Sequence, residues 1–345
     1  MPDGDADADA GTVLAAARRL ADEVLFPNAE AVDAGPLVPR SQLDALADVG
    51  LYGMACPVQA GGLGLDRRDA ARLVEILAGG CLTTTFVWLQ HHGAVGAVAS
   101  GPPASRERWL ADLCAGRVRG GIALAGARPD RPSMRASRRD GGWAFDGTSS
   151  WVTGWGLIDL VLTAARTDDD HVVWALLDAA EGPSVQVEPL PLLAVGASGT
   201  VLLRLDRHVV SEERVTKVEP VAEWIARDAT GLRTNGSLAL GLAGRCATLL
   251  DSSAFRDSID ECREALDAAS IATMPAARAA ASTLAWRAAG AVVAAGGSRS
   301  VLLTGHAQRL AREAAFLLVF GQRPAIRSAL LETLQAGSAG TLGPG

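Results

Sequence analysis

The sequence predicts an α+β protein in three parts: an N-terminal helical domain, a middle antiparallel β-barrel or sandwich, and a C-terminal four-helix bundle. Three observations predict it. Apolar residues recur at three- and four-residue spacing up to about residue 115, short runs divided by turn residues follow to about 215, and the helical period then returns in Ala-rich segments. The domains are drawn at 11–116, 117–216 and 217–336, with the acidic start (1–10) and the Gly-rich end (337–345) expected to be disordered.

In the first part, "TVLAAARRLADEVL", "SQLDALADVGL", "RDAARLVEILAGG" and "RERWLADLCAG" carry the helical period. Between them "CPVQAGGLGLDRRD" is a Pro/Gly-rich loop in which Asp66 is placed to cap the next helix. The middle part reads as "GGIALAG", "WAFDG", "SWVTGW", "DLVLTAAR", "HVVWALLDA", "SVQVEPL" and "TVLLRLD", a strand-and-turn spacing. In the last part, "AARAAASTLAWRAAGAVVAAGG" and "VLLTGHAQRLAREAAFLLVFG" have Ala-rich faces that allow helices to approach closely.

Composition narrows the function classes. A net charge of −7, with arginines scattered along the helices, argues against a nucleic-acid partner. No apolar run reaches the roughly 18 to 20 residues of a membrane span, and the acidic N-terminus lacks the pattern of a signal peptide, so a cytoplasmic protein is expected. Cys56, Cys81, Cys114, Cys246 and Cys262 are odd in number, widely spaced and without a CxxC pair. They read as reduced structural thiols, against disulfides or a zinc site.

Four stretches, in order, resemble the acyl-CoA dehydrogenase family: "GGLGLD" (61–66), "DGTSSWVTGW" (146–155), "GASGTVLLRLDRHVVSEERV" (196–215) and "QRLAREAAFLLVFG" (308–321). The resemblance implies FAD set between the middle β domain and the bundle, an acyl-CoA substrate, and a homodimer or homotetramer. It implies that Trp151 packs on the flavin ring and that Thr153 hydrogen-bonds its edge. Period-two alternation would put the two residues on one face of a strand. A large aromatic offers stacking area and the hydroxyl satisfies a polar ring atom.

The chain departs from the family pattern in three places. Phe320 stands where the family places its catalytic Glu, and a phenyl ring accepts no proton. On the first long helix of the bundle, where some relatives carry the base, the chain has Gly231 to Arg233, and Asp228 is the nearest carboxylate. Ala125 replaces the Thr of the Thr-Glu-Pro strand, leaving Arg128 and Arg131 either to meet a phosphate or to be solvated; Phe255-Arg256 is a poor match to the adenine-side Arg-x-x-Phe-Gly segment.

Other candidates are polar residues in apolar surroundings. Gln90, His91 and His92 form a patch on a buried helix, either a satisfied core cluster or, with Phe320, part of a substrate or flavin pocket. Adjacent histidines face different sides of a helix, so no metal site is expected. His306 is either a helix-surface residue or a proton-transfer group, and Arg309 and Arg312 either pair with Glu313 and its neighbours or bind a ligand. Three readings stay open: a divergent flavin-dependent oxidoreductase acting on an acyl-CoA or related small molecule, a non-catalytic subunit paired with a catalytic paralogue, and an oxygen-using flavin monooxygenase.

Overall fold

The computed structural model describes residues 10–128, 132–228 and 231–336; Arg131, the side chain of Asp228 and nearly all of the two tails lie outside the described residues. The chain opens with helices α1 (Ala10–Leu20), α2 (Phe26–Ala34), α3 (Arg40–Asp48), α4 (Arg67–Gly80), α5 (Leu82–Ala99) and α6 (Pro103–Cys114). Asp66 caps α4 as its position suggests, its Oδ1 accepting from the N–H groups of Arg68 and Asp69 at 2.8 Å. Helix α5 is apolar on nearly every side and accordingly runs through the interior, packed on α4, α6 and the sheet.

The sheet has eight strands: β1 (Gly120–Ala123), β2 (Met134–Arg139), β3 (Gly142–Val152), β4 (Leu160–Arg166), β5 (His171–Asp178), β6 (Val185–Pro189), β7 (Val201–Ser211) and β8 (Val215–Pro220). Their order is β6-β7-β3-β2-β4-β5-β8, with β1 beside β4. The expected antiparallel pairing holds except that β1, and β2 at one residue pair, run parallel to β4, which makes the sheet mixed. β1 lies hard against α5, because a Cβ on Gly120 would stand 2.6 Å from that of Ala94.

Helices α7 (Val221–Asp228), α8 (Leu232–Leu249), α9 (Ser253–Ala268), α10 (Met274–Gly296), α11 (His306–Val319) and α12 (Pro324–Ala336) complete the chain. The Ala-rich α10 sits centrally, touching α8, α9, α11 and α12. α8 also packs on α4 at Gly241, where a Cβ would lie 2.2 Å from the carbonyl oxygen of Glu75. One hydrophobic core therefore runs from Val13 in α1 to Leu330 in α12, and the sheet holds a second of its own.

Two buried features bear on stability. The cysteines are not all reduced: Cys56, after the loop that follows α3, is disulfide-bonded to Cys114 at the end of α6, with Cα atoms 5.8 Å apart. Sequence spacing conceals the pair because the fold, across a separation of 58 residues, is what joins it. Cys81, Cys246 and Cys262 are free thiols.

The second feature is Glu219 of β8, 1% exposed, which accepts from Trp174 Nε1 (2.9 Å), Lys217 Nζ (2.6 Å) and both Nη atoms of Arg227 (2.5 Å). Burial alone would raise its pKa; the hydrogen bonds from Arg227 and Lys217 together outweigh it and hold the carboxyl down at about 2, from 4.5. A carboxyl depressed on folding stabilises the protein above its unfolded pKa, and that contribution fades as pH falls toward the folded value. Wild type is thus expected to lose stability between pH 4.5 and about 2. Glu219→Gln is expected to lose less over the same window, as measured by thermal midpoints across the pH range; parallel curves would contradict this role.

Candidate functional site

The last turn of β3 carries the residues of interest. Ser149 pairs with Leu203 and Val152 with Val201, so β3 contains one more residue than β7 across this stretch. This is a bulge. Within it Trp151 adopts φ 66°, a left-handed conformation that a bulky side chain rarely takes. The bulge overturns the expected alternation: Trp151 is 62% exposed, whereas Thr153 is 1% exposed. The two side chains are neighbours in sequence but not partners on one regular strand face.

Thr153 belongs to a buried row of hydroxyls. Its Oγ1 lies 3.0 Å from that of Thr200, which lies 2.8 Å from Ser198 Oγ. The loop bearing Ser198 is fastened to the segment after β3 by Gly154 N–H to Ser198 O and Trp155 N–H to Gly199 O, both 2.9 Å. It is also strained, with Val195 at φ 54°. A hydroxyl both donates and accepts, so the row can turn its protons to suit a polar group set against it. Ser198 and Thr200 lie in "GASGT", the start of the 196–215 stretch, but the sequence assigns neither of them a role.

Helix α5 lies beside this corner, with Val87 3.7 Å from the Cβ position of Gly154. Gln90 is half-buried and makes no hydrogen bond among the described residues. His91 Nδ1 accepts from Gly120 N–H at 3.0 Å, so its Nε2 carries the proton and donates to Leu113 O at 3.1 Å. Burial pulls its pKa down to about 3. His92 is also held neutral by burial and then by His91, and neither of its nitrogens finds a partner among the described residues. Its ring stands edge-on to Trp88 at 4.5 Å.

Phe320 follows α11. Its ring meets Phe86 of α5 at 5.0 Å and Phe316 at 5.3 Å, and Phe86 and Phe316 are 5.2 Å apart, closing an aromatic wall between α5 and the bundle. His306 stands at the other end of α11, about 20 Å of helix away. It stacks on Phe26 at 4.1 Å, faces Glu30 at 3.2 Å, and accepts from Arg309 at Nδ1. Burial, and next the Arg309 charge, lower its pKa. The fold thus brings Trp151, Thr153 and α5 to one corner and leaves His306 elsewhere; α7 ends at Asp228, whose side chain is outside the described residues.

The arginines are mostly committed to other groups. Arg309 pairs with Glu313, Arg312 with Asp33 and Arg256 with Asp251, and Arg128 lies 5.9 Å over the ring of Trp224. Surface clefts of 340 Å³ beside Thr148, Ser184 and Arg204, and of 440 Å³ beside Asp44, Arg117 and Arg119, include neither Trp151 nor Phe320. Among the described residues no group of three or more His, Cys, Asp or Glu is placed to hold a metal, and no helix is long and apolar enough to cross a membrane.

The family model for the acyl-CoA dehydrogenase N-terminal domain matches residues 8–117. The chain is 27% identical over 248 residues to 3-sulfinopropanoyl-CoA desulfinase of Variovorax paradoxus, covering 66% of this chain and 62% of that protein. It covers between 52% and 65% of the length of four such desulfinases. Butyryl-CoA dehydrogenase of Megasphaera elsdenii superposes with a TM-score of 0.81 at 16% identity, over 95% of this chain and 98% of that one. A glutaryl-CoA dehydrogenase of Mycobacterium smegmatis, solved in complex with FADH2, gives 0.78 at 18% identity, over 97% and 96%. Residues 8–117 thus match the acyl-CoA dehydrogenase N-terminal domain, and nearly the whole chain shares the fold of the acyl-CoA dehydrogenases.

Proposed function

We propose that the chain is a divergent flavin-dependent oxidoreductase that holds FAD and acts on an acyl-CoA or a related small molecule. The observation that carries this reading is Trp151, an indole left 62% exposed on a strained bulge at a corner shared with α5. A chain that needed this residue only for packing would bury it; strain of this kind is kept where the surroundings over-determine a functional geometry. The ring-facing residues fit an isoalloxazine: Trp151 supplies stacking area, and Thr153, backed by Thr200 and Ser198, supplies a hydroxyl that turns to donate or accept.

FAD, when bound, supplies the hydride acceptor. The protein's share is to hold and shield. Phe86, Phe316 and Phe320 offer an apolar wall that suits an acyl chain and excludes water. Phe320 has no atom that takes a proton, so a base, if the reaction uses one, comes from elsewhere than the position where the family carries its Glu. The closed aromatic wall also favours a second reading, a non-catalytic subunit of a heteromeric complex. The oxygen-using reading gains nothing from His91, whose ring nitrogens are both engaged. We further propose a homodimer or homotetramer, a reading supported by the exposed apolar run Val301, Leu302 and Leu303.

Trp151→Ala is expected to weaken FAD binding by about 1–2 kcal/mol, roughly five- to thirtyfold. Because the side chain is exposed, its removal should leave the thermal midpoint of the apoprotein nearly unchanged. Titration of FAD fluorescence reads the affinity, and equal affinities for variant and wild type would refute the assigned role.

A further inference from the structure

Arg278 of α10 is a feature of the bundle that packing does not explain. It is 1% exposed and stands in an alanine-rich stretch, "AARAAAS". Its Nη1 reaches Ser282 Oγ at 3.4 Å and its Nη2 reaches Phe320 O at 3.3 Å, both long and both to neutral acceptors. Its Nε–H has no partner among the described residues. Among the described residues no carboxylate faces it. Other largely buried arginines of the bundle are paired: Arg309 with Glu313, Arg233 with Asp267, Arg263 with Glu75. Burial draws the Arg278 pKa down to about 10, which leaves it charged at neutral pH. A buried cation without a counter-charge is destabilising, and a Met or Leu of similar length would avoid the penalty.

A second unspent donor stands close by. Asn235 of α8 is half-buried and makes no hydrogen bond among the described residues. Its Nδ2 lies 2.4 Å from where a Cβ of Gly321 would be, so it sits on the turn between α11 and α12. Its neighbour Gly236 packs on Arg278, with a would-be Cβ 3.4 Å from the arginine's Cδ. Arg278 and Asn235 therefore converge from two helices on the turn that carries Phe320, behind the aromatic wall that Phe320 forms with Phe86.

We propose that Arg278 and Asn235 form a subsite for a carboxylate on the acyl portion of the substrate, so that the thioester taken by this chain carries a second acid group. This rests on the acyl-CoA reading above. A carboxylate would complete the guanidinium's charge and use both free donors, and charge-assisted hydrogen bonds of this kind are the strong ones.

The test is calorimetric titration of the FAD-loaded protein with glutaryl-CoA and with butyryl-CoA. Wild type is expected to bind glutaryl-CoA about tenfold more tightly. Arg278→Met is expected to bring the two thioesters to within about twofold, and Asn235→Ala, at a half-buried position where the fold is not at risk, to narrow the preference about threefold. Equal binding by wild type, or a preference that survives both substitutions, would overturn the subsite alone. Binding of neither thioester by a protein with a normal flavin band would overturn the acyl-CoA reading and the subsite with it. If Arg278 were merely a strut for the Phe320 carbonyl, Arg278→Met would lower the thermal midpoint and leave the preference intact.

Discussion

Glu313→Ala is expected to destabilise the protein by about 3–5 kcal/mol. Arg309 and Glu313 lie one turn apart on α11, each 1% exposed, joined by two hydrogen bonds of 2.7 and 2.8 Å. Taking both charges out of water is costly, and their mutual attraction offsets that cost only while both are present. Without Glu313 the guanidinium keeps its bond to His306 Nδ1, and its Nε, already without a partner, remains so. The bundle would then hold a second uncompensated cation. Arg309→Met combined with Glu313→Leu is expected to recover most of the loss, since two apolar groups of similar size have no charge to desolvate. Urea unfolding followed by circular dichroism measures both; a loss below about 1 kcal/mol for Glu313→Ala would mean that the pair is solvated.

Reduction of the Cys56–Cys114 disulfide is expected to cost about 4 kcal/mol, the loop-closure entropy of a cross-link spanning this many residues. Both cysteines are buried, so reductant should act mainly through transient opening of the loop after α3. Cys56→Ser should lower the thermal midpoint under oxidising conditions and abolish its response to reductant. Thiol counting on unfolded, unreduced protein is expected to find three free groups, Cys81, Cys246 and Cys262. Five free thiols, with a midpoint insensitive to reductant, would contradict the staple.

The elements that sequence revealed are those whose causes are local. Helical periodicity marks α4, α9 and α11 because each buries one stripe of side chains, and Asp66 announces its cap through the glycines before it and the helix after it. Features made by contact between distant segments were not legible. The parallel pairing of β1 with β4 depends on where α6 delivers the chain, and the disulfide depends on the same placement. At the site, alternation in "SSWVT" placed Trp151 and Thr153 on one face, yet a single residue in the left-handed region shifts the phase, and a tryptophan gives no warning of positive φ as a glycine would. Thr153 carried a signal; its partners Ser198 and Thr200 did not, since they come from a loop that only the fold brings alongside. Arg278 was readable in principle as a lone cation in an alanine run, but its lack of a counter-charge shows only once α8, α9 and the α11–α12 turn surround it.

Trp151, Thr153 and the hydroxyl row behind it are proposed to mark a flavin site. The visible absorption spectrum of the purified protein, recorded before and after incubation with FAD and desalting, tests it most directly. A protein-bound flavin band that survives desalting and is weakened in Trp151→Ala is expected. Absence of any retained band, with FAD in large excess beforehand, would contradict it and leave the non-catalytic subunit as the standing reading.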